Sequence, residues 1–221
     1  MKTINDIYKN ILLMIYKHGD EITPRKMKCK ELINQTIVLN PKDNIITLKG
    51  FETNMNYANE ELKWYLSGSK RFDFSLLINK IWKKYSDDDI TVNSAYGYYF
   101  FTQKTLLNYT QWNWVIDELK NDKDSRRCII NINNITHKKH ISKDIPCTIN
   151  CQVMIRNNKL IWITNMRSND IYFGFRNDIY CFTELQKKMA QELRIETGLY
   201  YHNVASLHLY ESEYRKTKWL K

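Results

Sequence analysis

The sequence has few of the residues that build the common nucleotide-binding loops and disulfide scaffolds. Its 221 residues include six glycines, three prolines and five cysteines. The glycines are too far apart for a P-loop or a dinucleotide-binding fingerprint, each of which needs two or three glycines within a few residues. The cysteines are odd in number and contain no Cys-x-x-Cys pair, which argues against a disulfide framework and a four-cysteine zinc site.

Long apolar runs and a signal peptide are also missing. No stretch approaches the roughly 18 apolar residues of a transmembrane helix, and the first residues lack the continuous apolar core of a secretion signal. We therefore expect a cytoplasmic protein with no membrane partner. Hydrophobic residues make up 43% of the chain and charged residues 26%, which is a globular composition. With no linker and no repeat, residues 1–221 are predicted to form one domain.

One charge sign is in excess. The 34 basic and 24 acidic residues give a net charge of +10, which favours an anionic partner. Charge alone does not distinguish a polymer such as RNA from a small phosphate ester.

Apolar spacing predicts a mixture of helices and strands. Helical spacing occurs over 4–17, 58–66, 74–85, 110–120 and 179–195. In the helix over 74–85, the apolar face is predicted to contain Leu76, Leu77, Ile81 and Trp82. Strands are predicted over 35–39 and 45–48 around a turn at 41–44, and over 128–132, 149–155, 159–164 and 199–210. The alternation is irregular, so the predicted fold class is α/β or α+β with a mixed sheet flanked by helices.

Three polar segments interrupt these elements. Cys147 follows Pro146 at a strand entrance, where a thiol would be either a buried small hydrophobe or a nucleophile activated by a cation. Arg126 and Arg127 precede another strand, and arginine forks suit phosphate oxygens. Residues 165–178 are the densest polar stretch, and such clusters between apolar segments are typical of functional loops.

In their order along the chain, these segments resemble the thymidylate synthase superfamily. The matching motifs span about residues 57–210 and are Glu60–Leu66, Ile81-Trp82, Ala95-Tyr96-Gly97, Ser125-Arg126-Arg127, Pro146-Cys147, Arg167-Ser168-Asn169-Asp170, Phe173-Gly174 and His208-Leu209-Tyr210. The chain is most similar to the deoxycytidylate hydroxymethylase branch of T-even bacteriophages, through residues 165–170, 173–178 and 206–208. Thr148 also fits that branch.

The resemblance implies a mechanism and a set of roles. Cys147 would add to carbon 6 of a pyrimidine nucleotide, Glu61 would position water or relay protons, and Tyr96 would assist at the carbon-5 proton. Methylenetetrahydrofolate would donate the one-carbon unit and would be faced by Trp82 and Asp170. The remaining implied roles are nucleotide binding, by Arg25, Arg126, Arg127, Arg167 and Ser168 at the phosphate and by His208 and Tyr210 at the sugar.

Asp178 falls where thymidylate synthases carry the asparagine that reads uracil. A carboxyl group suits cytosine instead, because it accepts from the amino group and can share a proton with the ring nitrogen. An alignment shifted by one residue would put Asn177 there and restore a uracil reader. The resemblance therefore predicts a hydroxymethylase of dCMP or CMP. The alternatives are a thymidylate synthase, a dUMP hydroxymethylase, and a non-catalytic nucleotide- or RNA-binding homologue.

Two further expectations concern partners and metals. In this superfamily the arginine pair comes from a partner subunit, so Arg126 and Arg127 imply a homodimer whose sheets pack together. Nucleic acid is not the expected partner, and no metal site is predicted. His137 and His140, which lie among lysines, are interpreted as surface residues.

Overall fold

The N-terminal segment folds as its apolar spacing predicts. The computed structural model describes residues 2–138 and 141–218, and its first helix, α1, covers Ile4–His18. Thr3 begins it by accepting the N–H of Asp6, as expected of an N-cap hydroxyl. The buried face of α1 consists of Ile4, Tyr8, Leu12 and Ile15.

The strands of the described residues form one mixed sheet, which confirms the predicted fold class. The sheet order is β1-β2-β7-β5-β4-β3, with β6 paired to β7 off this path. β7 runs parallel to β5 and β6, while the other pairs are antiparallel. The bounds are β1 (Asp20–Ile22), β2 (Cys29–Leu39), β3 (Ile129–Asn131), β4 (Thr148–Arg156), β5 (Lys159–Met166), β6 (Asn169–Asp170) and β7 (Glu196–Tyr210).

Helices flank this sheet and share a core with it. Besides α1 they are α2 (Met55–Ser67), α3 (Leu76–Trp82), α4 (Tyr96–Phe101), α5 (Gln111–Asn121), α6 (Phe175–Leu193) and α7 (Tyr214–Thr217). The core is rich in aromatic rings; for example, Trp162 of β5 packs against Phe100 of α4 and Trp112 of α5. No helix among the described residues is both long and apolar enough to cross a membrane.

The hairpin predicted around residues 41–44 does not form. β2 instead pairs with β7 along its length, and residues 45–48 are irregular. Ile46 and Thr53 bind each other, because the Ile46 N–H donates to the Thr53 side chain and the Thr53 N–H donates to the Ile46 carbonyl. Asn44 is tied to α6 through Thr183. The segment thus satisfies its backbone locally and by contacts with α6 rather than as a strand.

The predicted apolar face of α3 is wrong at three of its four residues, since only Trp82 packs against the core. Leu76 is 91% exposed, and Leu77 and Ile81 are exposed as well, whereas Ile78 is fully buried. α3 covers only two turns and is followed by a short 3-10 turn over 83–85. In so short a helix the packing of one residue decides the orientation, and the apolar spacing does not.

α6 begins four residues earlier than its apolar spacing predicts, at Phe175 rather than 179. The extra turn contains Asp178, whose N–H donates to the carbonyl of Gly174. This start places Asp178 in the first turn of a long helix that packs on β5 and β7. A polar residue of the sequence motif thereby becomes part of a rigid element.

Candidate active site

Cys147 lies between Pro146 and the start of β4, in a loop fixed by two neighbouring elements. Asp144 of this loop is buried and accepts hydrogen bonds from the N–H and the hydroxyl of Ser94, at 2.7 and 2.5 Å. Arg167, just after β5, donates to the carbonyls of Ile145 and Pro146 at 2.7 and 3.2 Å. The position of the thiol is therefore set by main-chain contacts on both sides.

Opposing effects act on the Cys147 thiol, which is half-buried. Burial raises its pKa, and the charges of Asp178 and Asp144 act in the same direction. Arg167 lowers the pKa, and its guanidinium lies 3.7 Å from the Cys147 sulfur. Arg167 is thus the cation next to the thiol, which a reactive cysteine requires.

Arg25 reaches the same region from the other end of the chain. It lies in an exposed 3-10 turn over Pro24–Lys26 and has a left-handed backbone with φ of 49°. Its charge lowers the pKa values of Cys147, His208 and Tyr210. The structure therefore brings Arg25 close to the thiol, and non-glycine residues with positive φ are often found at functional sites.

Glu61 and Tyr96 approach from the helical layer. Glu61 of α2 is buried and accepts a hydrogen bond of 3.0 Å from the Tyr57 hydroxyl, which itself accepts from the indole of Trp82 at 3.1 Å. Burial, and next the charge of Asp178, raises the pKa of Glu61 to about 8. The buried Tyr96 hydroxyl of α4 accepts the N–H of Thr148, directly after the nucleophile, at 3.3 Å.

Asp178 is the second buried carboxyl group of the site. Asn169 donates to its Oδ2 at 2.7 Å, and burial raises its pKa to about 7. Its charge acts on Glu61, Tyr96 and Cys147. The neighbouring Asn177 is only half-buried and donates instead to the carbonyl of Phe173 at 3.4 Å.

A third carboxyl group lies next to the two predicted sugar-binding residues. Asp170 accepts the N–H groups of Tyr172 and Phe173, and burial raises its pKa to about 6. Its other oxygen, Oδ2, is buried and has no hydrogen-bond partner among residues 2–138 and 141–218. The Nε2 atom of His208 lies 4.0 Å from this oxygen, and the rings of His208 and Tyr210 meet edge to face at 5.0 Å.

Arg126 and Arg127 are not at this site. Cys128 lies opposite Val153 of β4, whose N–H donates to the Cys128 carbonyl. Because β3 and β4 are antiparallel, the two arginines lie beside the C-terminal end of β4, whereas Cys147 precedes its N-terminal end. At about 3.3 Å per residue, the separation is on the order of 20 Å. Arg127 pairs with Glu118 of α5. Ser168, in contrast, directly follows Arg167 at the site.

Several buried polar residues at the site were not predicted from the sequence. Tyr57 lies one helical turn before Glu61, so its position was readable from the spacing of α2. Asn169 belongs to the motif over 167–170 without an implied role, and no sequence signal indicates its side-chain contact with His202. His137, interpreted as a surface residue, is buried, with its Nε2 atom 2.8 Å from the Tyr99 hydroxyl. His140 lies outside the described residues.

The arrangement combines a thiol next to a guanidinium with two buried carboxyl groups that retain protons near neutral pH. The thiol can add to an electrophilic carbon, and the carboxyl groups can exchange protons in the range where general acids and bases work best. No group of three or more potential metal ligands occurs in the described part of the chain.

Comparisons with known proteins give a consistent result. The family model described as "Thymidylate synthase" matches residues 6–220. The deoxyuridylate hydroxymethyltransferase of Bacillus phage SP01 is 32% identical over 225 residues, covering 94% of this chain. This chain spans 57% of the length of that enzyme.

Two further relatives match a shorter region. The deoxycytidylate 5-hydroxymethyltransferase of Enterobacteria phage T4 is 32% identical over 173 residues, which are 73% of this chain and 69% of the phage enzyme. Thymidylate synthase 1 of Bacillus subtilis is 27% identical over 150 residues, which are 66% of this chain and 53% of the synthase. The relatives thus act on different pyrimidines.

Proposed function

The chain belongs to the thymidylate synthase family, and we propose that it is a pyrimidine nucleotide hydroxymethylase acting on a cytidylate. The substrate would be dCMP or CMP, the one-carbon donor methylenetetrahydrofolate, and the product the 5-hydroxymethyl nucleotide. The similarity to two phage hydroxymethyltransferases supports the reaction class. The choice of cytosine rests on Asp178.

Asp178 is the observation that carries the choice of base. Its carboxyl group is buried and held by Asn169, and its pKa of about 7 leaves it partly protonated at neutral pH. A protonated carboxyl group can donate to the unprotonated ring nitrogen of cytosine while it accepts from the amino group. Asn177, which would have suited uracil, is bonded to its own helical turn.

Cys147 starts the chemistry in this proposal. Its thiolate adds to carbon 6 of the ring, and the electron pair of the carbon 5–carbon 6 double bond makes carbon 5 nucleophilic. Arg167 favours the thiolate because its guanidinium lies next to the sulfur. Burial raises the pKa of the thiol and so disfavours the thiolate. Arg167 must therefore stay next to the sulfur when the phosphate of the substrate is bound.

The residues at Asp170 fit a folate. A buried carboxylate oxygen with no partner in the described residues is the acceptor that the amino and ring N–H groups of a pterin need. Trp82 is a half-buried indole, bound to Tyr57, which in turn bonds Glu61. Asp170 and Trp82 would hold methylenetetrahydrofolate, which when bound supplies a one-carbon unit at the formaldehyde oxidation level.

Glu61 and Tyr96 handle protons and water. The pKa of Glu61 is about 8, so the carboxyl group is protonated at neutral pH and can give up its proton or hold water. The Tyr96 hydroxyl accepts the N–H of Thr148 and would assist at the carbon-5 proton. Water held here would complete the hydroxymethyl group.

Two copies of the chain make a complete phosphate site. Arg25, Arg167 and Ser168 come from the subunit that supplies Cys147. Arg126 and Arg127 precede β3 and lie on the order of 20 Å from Cys147 of their own chain, so we propose that they come from a partner subunit. His208 and Tyr210 would contact the sugar.

A dUMP hydroxymethylase is the second candidate. The relative from phage SP01 covers 94% of this chain, whereas the relative from phage T4 covers 73%. The extent of similarity therefore favours uracil, and the chemistry of Asp178 favours cytosine.

Tritium release from carbon 5 tests both candidates. The purified protein is incubated with methylenetetrahydrofolate and with dCMP, CMP or dUMP labelled at carbon 5, next to the Cys147→Ala variant. We expect release from a cytidylate only, complete dependence on Cys147, and a hydroxymethyl product by mass spectrometry. Release from dUMP alone, with a hydroxymethyl product, would support the second candidate, whereas a methyl product would indicate a thymidylate synthase. No release from any nucleotide, with nucleotide binding retained, would indicate a non-catalytic homologue.

A further inference from the structure

A row of buried polar side chains lies behind Asp178. Asn169 donates to Asp178 Oδ2 at 2.7 Å, and its own Oδ1 lies 3.0 Å from His202 Nε2. The other ring nitrogen of His202 lies 2.9 Å from the Tyr200 hydroxyl. Asn169 is 4% exposed, and His202 and Tyr200 are completely buried. The row joins α6 to β6 and β7 and holds no bulk solvent.

The hydrogen bonds of this row have one direction. Asn169 Nδ2 donates to Asp178 Oδ2, so the amide oxygen Oδ1, which can only accept, is the atom that faces His202 Nε2. Burial lowers the pKa of His202 to about 3, so the ring is neutral and has one N–H.

The single N–H of His202 must then be on Nε2. The hydrogen on Nε2 points to the Oδ1 atom of Asn169, and Nδ1 accepts from the Tyr200 hydroxyl. This contact holds the Asn169 amide with its NH2 group towards Asp178. The last group of the row is thus the Asn169 NH2 group, which donates to Asp178 Oδ2.

This arrangement decides where a proton on Asp178 resides. Because Oδ2 receives the Asn169 N–H, a proton on the carboxyl group is carried by Oδ1. Oδ1–H can donate to the ring nitrogen of cytosine, and Oδ2 keeps a second lone pair for the amino group. Uracil would present its ring N–H to the same Oδ1–H, so two donors would face each other.

We propose that Asn169, oriented by His202, is a positioning residue that keeps the Asp178 proton on Oδ1 and so gives the site its preference for cytosine over uracil. This inference rests on the proposed function, because it assumes that Asp178 contacts the base. It explains why the proton of Asp178 would be on Oδ1, which the identity of residue 178 alone does not explain.

Gly174 provides independent geometric support. A Cβ atom at this position would lie 2.9 Å from Asn169 Nδ2 and 3.3 Å from Asp178 Oδ2. Any larger residue would press on the two atoms of this hydrogen bond. The start of α6 thus leaves space for the bond between Asn169 and Asp178.

Asp178 interacts electrostatically with titratable groups on several surrounding elements. Its charge acts on groups from α2, α4, the loop before β4, β7 and α6 itself, which are Glu61, Tyr65, Tyr96, Cys147, Tyr200 and Cys181. Asn169 is the hydrogen-bond partner that lowers the pKa of Asp178. Losing this bond must therefore move the titration of Asp178 to higher pH.

Equilibrium binding of dCMP and dUMP, measured by calorimetry without folate, tests the inference apart from turnover. The variants are Asn169→Leu and His202→Phe, which remove the donor row, and His202→Gln, which keeps an N–H for Asn169. We expect the first two to reduce the ratio of dCMP to dUMP affinity by about tenfold or more, since a buried hydrogen bond is lost and a buried polar group is left without its partner. His202→Gln should retain most of the ratio.

A control and a pH profile separate positioning from simple destabilisation. Thr183→Val removes another buried hydroxyl of α6, one that bonds Ile179 and Asn44, and should leave the ratio unchanged. In the wild type, dCMP affinity should fall as pH rises past about 7. In Asn169→Leu the fall should begin at higher pH, a shift that loss of stability alone would not cause.

The outcomes distinguish this inference from the proposed function. Wild-type preference for dUMP would overturn both. Wild-type preference for dCMP, with the ratio and the pH profile unchanged in Asn169→Leu and His202→Phe, would overturn the inference alone. If these two variants do not fold, Gly174→Ala perturbs the same bond from outside the row, and an unchanged ratio there would count against the inference.

Discussion

In the proposed function, the choice of base depends on two neighbouring residues in the first turn of α6. Asp178 is buried and acts on Cys147 and Glu61, whereas Asn177 bonds the carbonyl of Phe173. We predict that Asp178→Asn shifts the ratio of kcat/KM for dCMP over dUMP towards dUMP by about a hundredfold, because a hydrogen-bonding site rejects a base with the wrong donor pattern. Tritium release from the two labelled nucleotides measures this ratio.

Asn177→Ala is the matched control for this prediction. It removes a side chain of the same size from the adjacent position without touching the buried carboxyl group. Its ratio should equal that of the wild type. A change in Asn177→Ala and none in Asp178→Asn would mean that the base reader is residue 177.

The raised pKa of Glu61 makes a second prediction, about stability. The folded protein holds this proton up to about pH 8, whereas an unfolded glutamate loses it near pH 4.3. Between these values the folded state binds more protons, so stability falls as pH rises. Glu61→Gln removes this term, so the stability of the variant relative to the wild type, measured by thermal unfolding, should increase from pH 5 to pH 8 by about 3 to 4 kcal/mol.

Glu60→Gln provides the comparison. Glu60 lies next to Glu61 on α2, but Lys63 bonds its carboxylate and lowers its pKa. This surface pair is worth little, so the variant should show a flat or slightly opposite trend with pH. Equal trends in both variants would show that the buried position of Glu61 is not the cause.

The sequence motifs predicted which residues meet, and they missed the polar residues behind them. Cys147, Glu61, Tyr96 and Asp178 interact electrostatically in the structure, as the resemblance implies. Asn169 and His202 could not be paired from the sequence, because they are 33 residues apart and lie on β6 and β7 at positions that are not register partners. Their roles, like those of the predicted residues, are decided by the experiments above.

At the level of elements, α2 and α4 approach closely, and the ring centroids of Tyr65 and Tyr96 lie 5.5 Å apart. Gly97 allows this approach, because a Cβ atom there would lie 1.8 Å from the carbonyl oxygen of Tyr65. We predict that Gly97→Ala destabilises the protein by about 3 kcal/mol or more, since backbone cannot move aside as a side chain can. Thermal unfolding measures the loss. Leu66→Ala, at an exposed position of α2, should change stability by less than about 1 kcal/mol.

The predictions of helices and strands are correct where a cap and a long apolar pattern agree. They are wrong where contacts with distant residues determine the backbone conformation. α1, with the Thr3 cap and four buried residues on one face, matches its prediction closely. Residues 45–48 have the β-branched composition of a strand, yet the N–H of Ile46 is satisfied by Thr53. No local pattern indicates that β2 will pair with β7, about 170 residues away in sequence.

In the whole molecule, one sheet face remains open to a partner. A row of side-chain hydrogen bonds crosses four strands on this face, at 2.9, 2.9 and 2.8 Å, and links Thr36, Asn203, Asn165 and Asn150. Half-buried apolar side chains such as Ile163 and Tyr201 lie on the same face. We propose that a second copy of the chain covers it, because one chain alone leaves the phosphate site without Arg126 and Arg127.

Mixing two inactive variants tests this dimer. Cys147→Ala lacks the nucleophile but keeps its arginines, and the double variant Arg126→Ala/Arg127→Ala has the opposite defect. If the arginines act in the partner's site, a mixed dimer contains one complete site. Random exchange makes half of the dimers mixed, so activity should recover to about a quarter of the wild-type value. The recovery is measured by tritium release after unfolding and refolding the two variants together. Arginines that act within their own chain would give no recovery, and a monomer in sedimentation analysis would exclude the shared site altogether.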